Sequence, residues 1–224
     1  PHPLGIPYPA IRLHRRRQPT IGIKLTGTHP GIQTAHPGRI DLARLAIEGE
    51  TLTQIFWNAI DQRGPKVWMR QKEFGIWEAW TYERTGQAVT EIGHGLLALG
   101  LQPGDVASIL SSTVVEWVLC DLAVLSCGGV SNGIYPTDAP AQVQYLCEDS
   151  GTSMLFVEDE EQLDKALEAR EQLPALKWIF VFDMKGLRDF DDAGVMSLEA
   201  LREKGRAFNS DHPNAVQASA AACK

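Results

Sequence analysis

Several things that would announce a function are missing from this sequence. The four cysteines, Cys120, Cys127, Cys147 and Cys223, include no C-x-x-C pair, and the six histidines form no H-E-x-x-H or comparable cluster. That excludes the usual thiolate and histidine metal sites, leaves no disulfide framework, and makes a reducing, cytoplasmic setting the expectation. Long apolar runs are also absent. The most apolar helical stretch, Val114 to Cys127, would reach only about 21 Å against a hydrocarbon core of about 30 Å, so it reads as a buried helix. His14-Arg15-Arg16-Arg17 is not followed by the apolar segment that an export signal requires. Leu25 to Gly31, LTGTHPG, lacks the Gly-Lys-Ser/Thr ending of a phosphate loop, and no strand leads into it. Basic charge is scarce outside the first 45 residues, which carry seven Lys or Arg against Asp41 alone; the net charge of -7 therefore arises entirely from the rest of the chain. An acidic body repels phosphate backbones and argues against nucleic acid as a partner.

What is present is the composition of a soluble globular protein, 44% hydrophobic and 22% charged over 224 residues. Residues 1–45 mix Pro, Gly, His and Arg without periodicity and are expected to be a disordered or non-native basic leader. From residue 46 the pattern becomes orderly. Leu52, Ile55, Phe56, Ala59 and Ile60 share one helix face. Val67 to Lys72 and Ile76 to Tyr82 read as a hairpin turning at Glu73-Phe74-Gly75, with Gly75 available for a positive φ. Thr81 to Leu99 reads as a helix stopped by Gly100. Four apolar runs then follow, Val106 to Leu110, Val130 to Ile134, Met154 to Val157 and Trp178 to Phe182. They alternate with helical patterns at Val114 to Cys127, Ala141 to Glu148 and Glu160 to Leu173, and a last helix is expected around Leu198 to Ala207. Alternation of this kind needs a parallel sheet covered on both faces, so the fold class is α/β with a hairpin added. Residues 46–208 form that domain, and 209–224 have the look of a linker.

Each candidate site has a structural reading beside it. Thr113-Val114-Val115-Glu116 has capping-box spacing, and Ser111-Ser112-Thr113 lies where a strand hands over to a helix N-terminus. Glu116 would put negative charge where an anion should sit, so capping is the better reading. In the Tyr135-Pro136-Thr137-Asp138 loop, Thr137 or Asp138 can cap the next helix and Pro140 suits its first turn. One carboxylate and a tyrosine are too little for general acid/base work. Glu158-Asp159-Glu160-Glu161 resembles a metal patch, yet at a helix start with Lys165 and Arg170 further along it fits a solvated face. His94 has no partner in its helix and reads as structural, and Cys120 and Cys127 share a face as small hydrophobes. No residue is assigned a catalytic, cofactor-binding or metal-binding role.

The order of these pieces resembles the N-terminal part of the adenylate-forming enzymes, most closely the long-chain fatty acyl-CoA synthetases. WTYERTGQAVTEIGHGLLALGLQPGD at 80–105 is similar to their first recurring motif and GGVSNGIYPTDAPAQVQYLCEDSG to their second. Similarity extends to KEFGIW at 72–77, to 158–183 and to GLRDFDDAGVMSLEAL at 186–201. One departure is Ser111-Ser112-Thr113 ahead of Glu116-Trp117, where the family often has Asn. The resemblance implies a parent ligase that uses ATP and Mg²⁺ to join a fatty acid to AMP and then to coenzyme A, possible association with a membrane surface, and a fragment inactive by itself. It also implies that the phosphate-holding Thr/Ser/Gly loop with its lysine is encoded soon after Lys224. Two other readings stay open: a non-catalytic α/β binding module, and an adenylation domain serving another carboxylate or acceptor.

Overall fold

The computed structural model describes residues 47–223. The expected leader, Leu25 to Gly31 and His14 to Arg17 lie outside the described residues. The element order is α1 (Leu52–Arg63), β1 (Val67–Glu73), β2 (Ile76–Thr81), α2 (Tyr82–Ala98), β3 (Val106–Leu110), α3 (Val115–Ser126), β4 (Val130–Ile134) and α4 (Pro140–Ser150). It continues through β5 (Thr152–Val157), α5 (Glu160–Arg170), β6 (Trp178–Val181), β7 (Val195–Ser197), α6 (Leu198–Asp211) and α7 (Ala215–Ala222).

The α/β class holds. β3 to β7 form one parallel sheet in the order β4-β3-β5-β6-β7, and β1 and β2 form a separate antiparallel hairpin. Side chains alternate along the strands. Ala107, Ile109, Met154, Phe156 and Phe180 point into a core shared with α2, α3, α6 and α7, while Leu110, Leu155, Val157, Ile179 and Val181 face α4 and α5. Both faces of β3, β5 and β6 are therefore buried, which is why these three strands read as continuous apolar runs, whereas the edge strand β4 is partly exposed. The chain leaves β3 toward β4, then returns past β3 to build β5, so the sheet reverses direction between β3 and β5. That reversal is the topological switch point at which α/β sheets present a crevice beyond their carboxyl ends.

Four helices start as local chemistry dictates, with Thr51, Thr81, Asp159 and Ser197 each accepting from a backbone amide three residues on, at 3.0–3.2 Å. The hairpin turns through Phe74 (φ 46) and Gly75 (φ 84), with Glu73 opposite Ile76. Two positive φ values make it the mirror-image turn that matches strand twist, although only Gly75 was expected to adopt one. Helices α2 and α6 pack so closely that a Cβ on Gly205 would overlap the Glu91 carbonyl, and one on Gly95 the Leu201 carbonyl.

The structure differs from the sequence reading at several places. On α1 the buried face is Thr53, Phe56 and Ala59, while Leu52 and Ile55 are 58% and 38% exposed, because the apolar stripe is wider than its described neighbours cover. Strand β7 was not anticipated. Three residues carry no period, and its position is set by β6 beside it and by a two-pronged Arg170–Asp192 ion pair (2.9 and 2.7 Å) in the preceding loop. Residues 209–224, expected to be a linker, carry the end of α6 and all of α7, whose Val216 and Ala220 are buried. Alanine-rich sequence is a strong helix former, and one apolar pair at i, i+4 is enough to dock a short helix on a surface already built.

Candidate functional site

The crevice at the switch point is built from three separate elements. Ser111 and Ser112 follow β3, Glu158 follows β5, and Gln71 reaches over from the hairpin. The turns that leave the strands at this end lead into helix N-termini, whose first N–H groups have no partner within the helix. Here three donors, the Ser111 hydroxyl and the Ser112 and Val115 amides, are taken by the chain itself. Glu158 Oε2 accepts from the Ser112 amide at 2.6 Å and lies 3.2 Å from Ser111 Oγ, whose proton is shared with the Ser112 carbonyl at 2.8 Å. Gln71 Oε1 accepts from the Val115 amide, the first of α3, at 2.8 Å.

The expected capping box at Thr113 and Glu116 is therefore not formed: Val114 is the N-cap and provides no side-chain bond. Helix α3 begins one residue later than the motif requires, and the glutamine of the hairpin stands in for the threonine hydroxyl. Beside this turn a crevice of about 330 Å³ is lined by Gln71, Glu73, Glu116, Glu158, Asp183 and Lys185. Asp183 and Lys185 pair at 3.0 Å, which holds the carboxyl below its ordinary range and raises the ammonium. Four carboxylates against one ammonium make the space unfavourable for a phosphate chain.

The Tyr-Pro-Thr-Asp loop sits at the end of β4 and is also tied down from a distance. Lys165 of α5 donates to the Pro136 carbonyl at 2.6 Å and to Gln162 Oε1 at 3.1 Å, and pairs with Glu161 at 3.2 Å. Neither Asp138 nor Thr137 caps α4. The N-cap is Ala139 without a side-chain bond, and Pro140 occupies the first turn as expected. Asp138 lies one residue too early; its amide instead closes the turn onto the Tyr135 carbonyl at 3.0 Å. Of the acidic run, Asp159 caps α5 and Glu160 and Glu161 fall in its first turn, whereas Glu158 turns back to the serines. Glu160 and Glu161 stand in solvent, Glu161 at 74%, as expected of a solvated face, whereas Lys165 is only 16% exposed because it reaches back to the loop.

The remaining candidates are dispersed. His94 is completely buried between α2 and α6, neither ring nitrogen has a hydrogen-bond partner among the described residues, and burial lowers its pKa below the ordinary 6.5. Cys120 and Cys127 are both fully buried; burial pushes the Cys127 thiol up to about 12 and the Cys120 thiol well above its ordinary value, so neither serves as a nucleophile at neutral pH. At the amino ends of β3 and β4, a mostly apolar concavity of about 480 Å³ is lined by Leu52, Pro103, Leu125, Cys127 and Cys223. Among the described residues no group of three or more His, Cys, Asp or Glu is placed to share a metal ion, and no helix is long and apolar enough to cross a membrane. Sequence reasoning missed Gln71 and the anchoring parts played by Glu158 and Lys165. No local spacing marks a side chain whose partner is 46 residues away, as Glu158 is from Ser112.

Comparison with known proteins follows the same outline. A long-chain-fatty-acid–CoA ligase of Rattus norvegicus is 27% identical over 166 residues, covering 74% of this chain and 23% of that protein. The human counterpart is 29% identical over the same length, and a long-chain-fatty-acid–CoA ligase of Mycobacterium bovis is 30% identical over 131 residues, 58% of this chain and 20% of its own. The chain thus spans under a quarter of the length of these relatives. Among solved structures, the A-PCP didomain of a carboxylic acid reductase from Segniliparus rugosus aligns with a TM-score of 0.63 at 16% identity, covering 73% of this chain and 28% of that one. The anthranilate CoA ligase AuaEII aligns at 0.60 and 20% identity, covering 72% and 29%. These structures share the fold of an adenylation domain's N-terminal part. The AMP-binding enzyme family itself matches residues 56–220, from the middle of α1 to the middle of α7, and the chain belongs to that family.

Proposed function

We propose that the chain is the N-terminal scaffold of an ATP-dependent long-chain fatty acid–CoA ligase, in which a fatty carboxylate is first joined to AMP and then to coenzyme A. The observation that carries this reading is the continuous match to fatty-acid–CoA ligases over 74% of this chain but 23% of theirs. ATP, Mg²⁺, CoA and the fatty acid are the cofactors and substrates it implies for the larger protein.

The described residues do not fit a triphosphate. The Ser111 hydroxyl and the Ser112 and Val115 amides at the switch point are bound to Glu158 and Gln71, and the walls of the adjoining crevice are acidic. The scaffold's task is to position what comes after it, and the phosphate-holding loop has to be supplied by sequence beyond these elements. The chain alone is accordingly inactive and does not bind ATP-Mg²⁺ tightly.

Two measurements test this. Calorimetry of the 224-residue chain with ATP-Mg²⁺ should show no saturable micromolar binding; such binding would place the nucleotide site here after all. ATP–pyrophosphate exchange by a polypeptide that includes the sequence encoded downstream should depend on a long-chain fatty acid. Exchange driven by an amino or aromatic acid instead would favour an adenylation domain serving another acceptor, and no exchange with any acid would favour the non-catalytic module.

A further inference from the structure

We propose that the tip of the β1–β2 hairpin docks into the headgroup boundary of a phospholipid bilayer. The inference rests on the hairpin alone and is independent of the ligase reading. Three large apolar side chains within four consecutive residues stand in solvent there: Phe74 is 89% exposed, Ile76 73% and Trp77 63%. Phe74 also occupies a left-handed backbone conformation, φ 46, that glycine or asparagine would adopt more easily. Backbone outliers of this kind collect where function requires them.

Chemistry and size both point to a lipid surface. Lys72 Nζ lies 5.9 Å from the Trp77 ring and Lys185 Nζ 5.9 Å from the Phe74 ring. Strand pairing places Lys72 opposite Trp77 and Arg70 opposite Ala79, so both cations and the indole share one side of the ribbon. Neither Arg70 nor Lys72 has an ion-pair partner among the described residues. Aromatic rings with lysine and arginine beside them match the headgroup level of a membrane, where rings meet acyl chains and cations meet lipid phosphates. Glu73 and Asp183 lie nearby, with Lys185 paired to Asp183, and the net charge of the chain is -7. Attachment therefore depends on ring insertion with a limited electrostatic contribution. Three side chains are too few for a stable protein interface, which buries about 800 Å² on each partner, but they suffice for a loop tip that inserts. The ribbon is already ordered and anchored to α3 through Gln71, so docking needs no folding step.

The test uses the 224-residue chain and sedimentation with vesicles of phosphatidylcholine alone or of phosphatidylcholine and phosphatidylglycerol in equal parts. The wild type should co-sediment with both and better with the mixture. Trp77→Ser and Phe74→Gly should each weaken partitioning about tenfold or more, as expected for losing an inserted aromatic side chain. Phe74→Gly should at the same time raise the melting temperature, since glycine suits the turn; loss of binding with a gain in stability cannot come from damage to the fold. Lys72→Gln should reduce binding to the mixed vesicles more than to phosphatidylcholine alone. Absence of wild-type binding, or equal binding by wild type, Phe74→Gly and Trp77→Ser, would overturn the proposal. Concentration-dependent dimerisation in light scattering that Trp77→Ser removes would assign the tip to a second copy instead.

Discussion

The helices of this domain start in two ways. Helices α1, α2, α5 and α6 are capped by the Thr, Asp or Ser that precedes them; apart from the short α7, which follows α6 and is uncapped as well, the helices with no side-chain cap of their own are α3 and α4. Each of the latter follows a sheet strand at the switch-point end, and each turn is held by a residue from elsewhere: Gln71 and Glu158 at α3, Lys165 at the turn before α4. A local cap is available as soon as its own turn forms. A remote anchor exists only after the hairpin, β5 and α5 have docked. The difference shows which part of the domain depends on complete assembly, and it is the part facing the crevice.

Where self-capped helices meet, packing decides. Gly205→Ala should be the most damaging single change, destabilising by about 3 kcal/mol in urea titration, because the new methyl would overlap the backbone of α2. A loss below about 1 kcal/mol would mean that α6 can shift, and that the two helices are less tightly matched than the distances imply.

At the remote anchors, Glu158→Ala should cost about 2 kcal/mol, because two donors at the end of β3 lose one charged acceptor. Thr81→Ala, which removes an ordinary cap at α2, should cost about 1 kcal/mol. The comparison breaks if that order is reversed. Hydrogen exchange sharpens it further: Glu158→Ala should loosen amides in the turn before α3 and in α3 together, while Thr81→Ala should loosen only the first turn of α2.

A smaller effect is expected from pH. Burial holds the folded pKa of His94 below the ordinary 6.5, so the unfolded chain binds the extra proton first. The contribution of neutral His94 is fully present above 6.5 and declines as pH falls through 6.5 toward the folded value. Urea midpoints should therefore drop between pH 7.5 and 5.5, and His94→Leu should flatten that part of the profile. An unchanged slope in the leucine variant would show that His94 is not the cause.

Asp138→Ala should do least, within about 0.5 kcal/mol in melting, since its side chain caps nothing and only its amide closes the turn. A loss near 1 kcal/mol would mean that the carboxylate does act as a cap in solution.

Much of the fold was legible before any coordinates, because the signals are local. Apolar runs buried on both faces reveal parallel strands, and the i, i+3, i+7 spacing of Val89, Ile92 and Leu96 reveals α2, where all three are fully buried. Gly100, with φ 89, ends that helix as its position suggests. Pattern alone failed where a few residues respond to a surface already in place, as with β7 beside β6 and α7 across the helices.

The candidate site divides along the same line. The sequence by itself determined that Ser111 to Thr113 and Tyr135 to Asp138 would be strand-to-helix turns, since strand period, proline and cap chemistry act within a few residues. Only the tertiary structure decided which side chains complete them. Thr113 and Asp138 had suitable chemistry but the wrong phase, and a register one residue away from a cap is enough to remove it. Gln71, Glu158 and Lys165 had no local signal, and became anchors because the reversal of strand order brings the end of β5 beside the end of β3 and the docked hairpin over the start of α3.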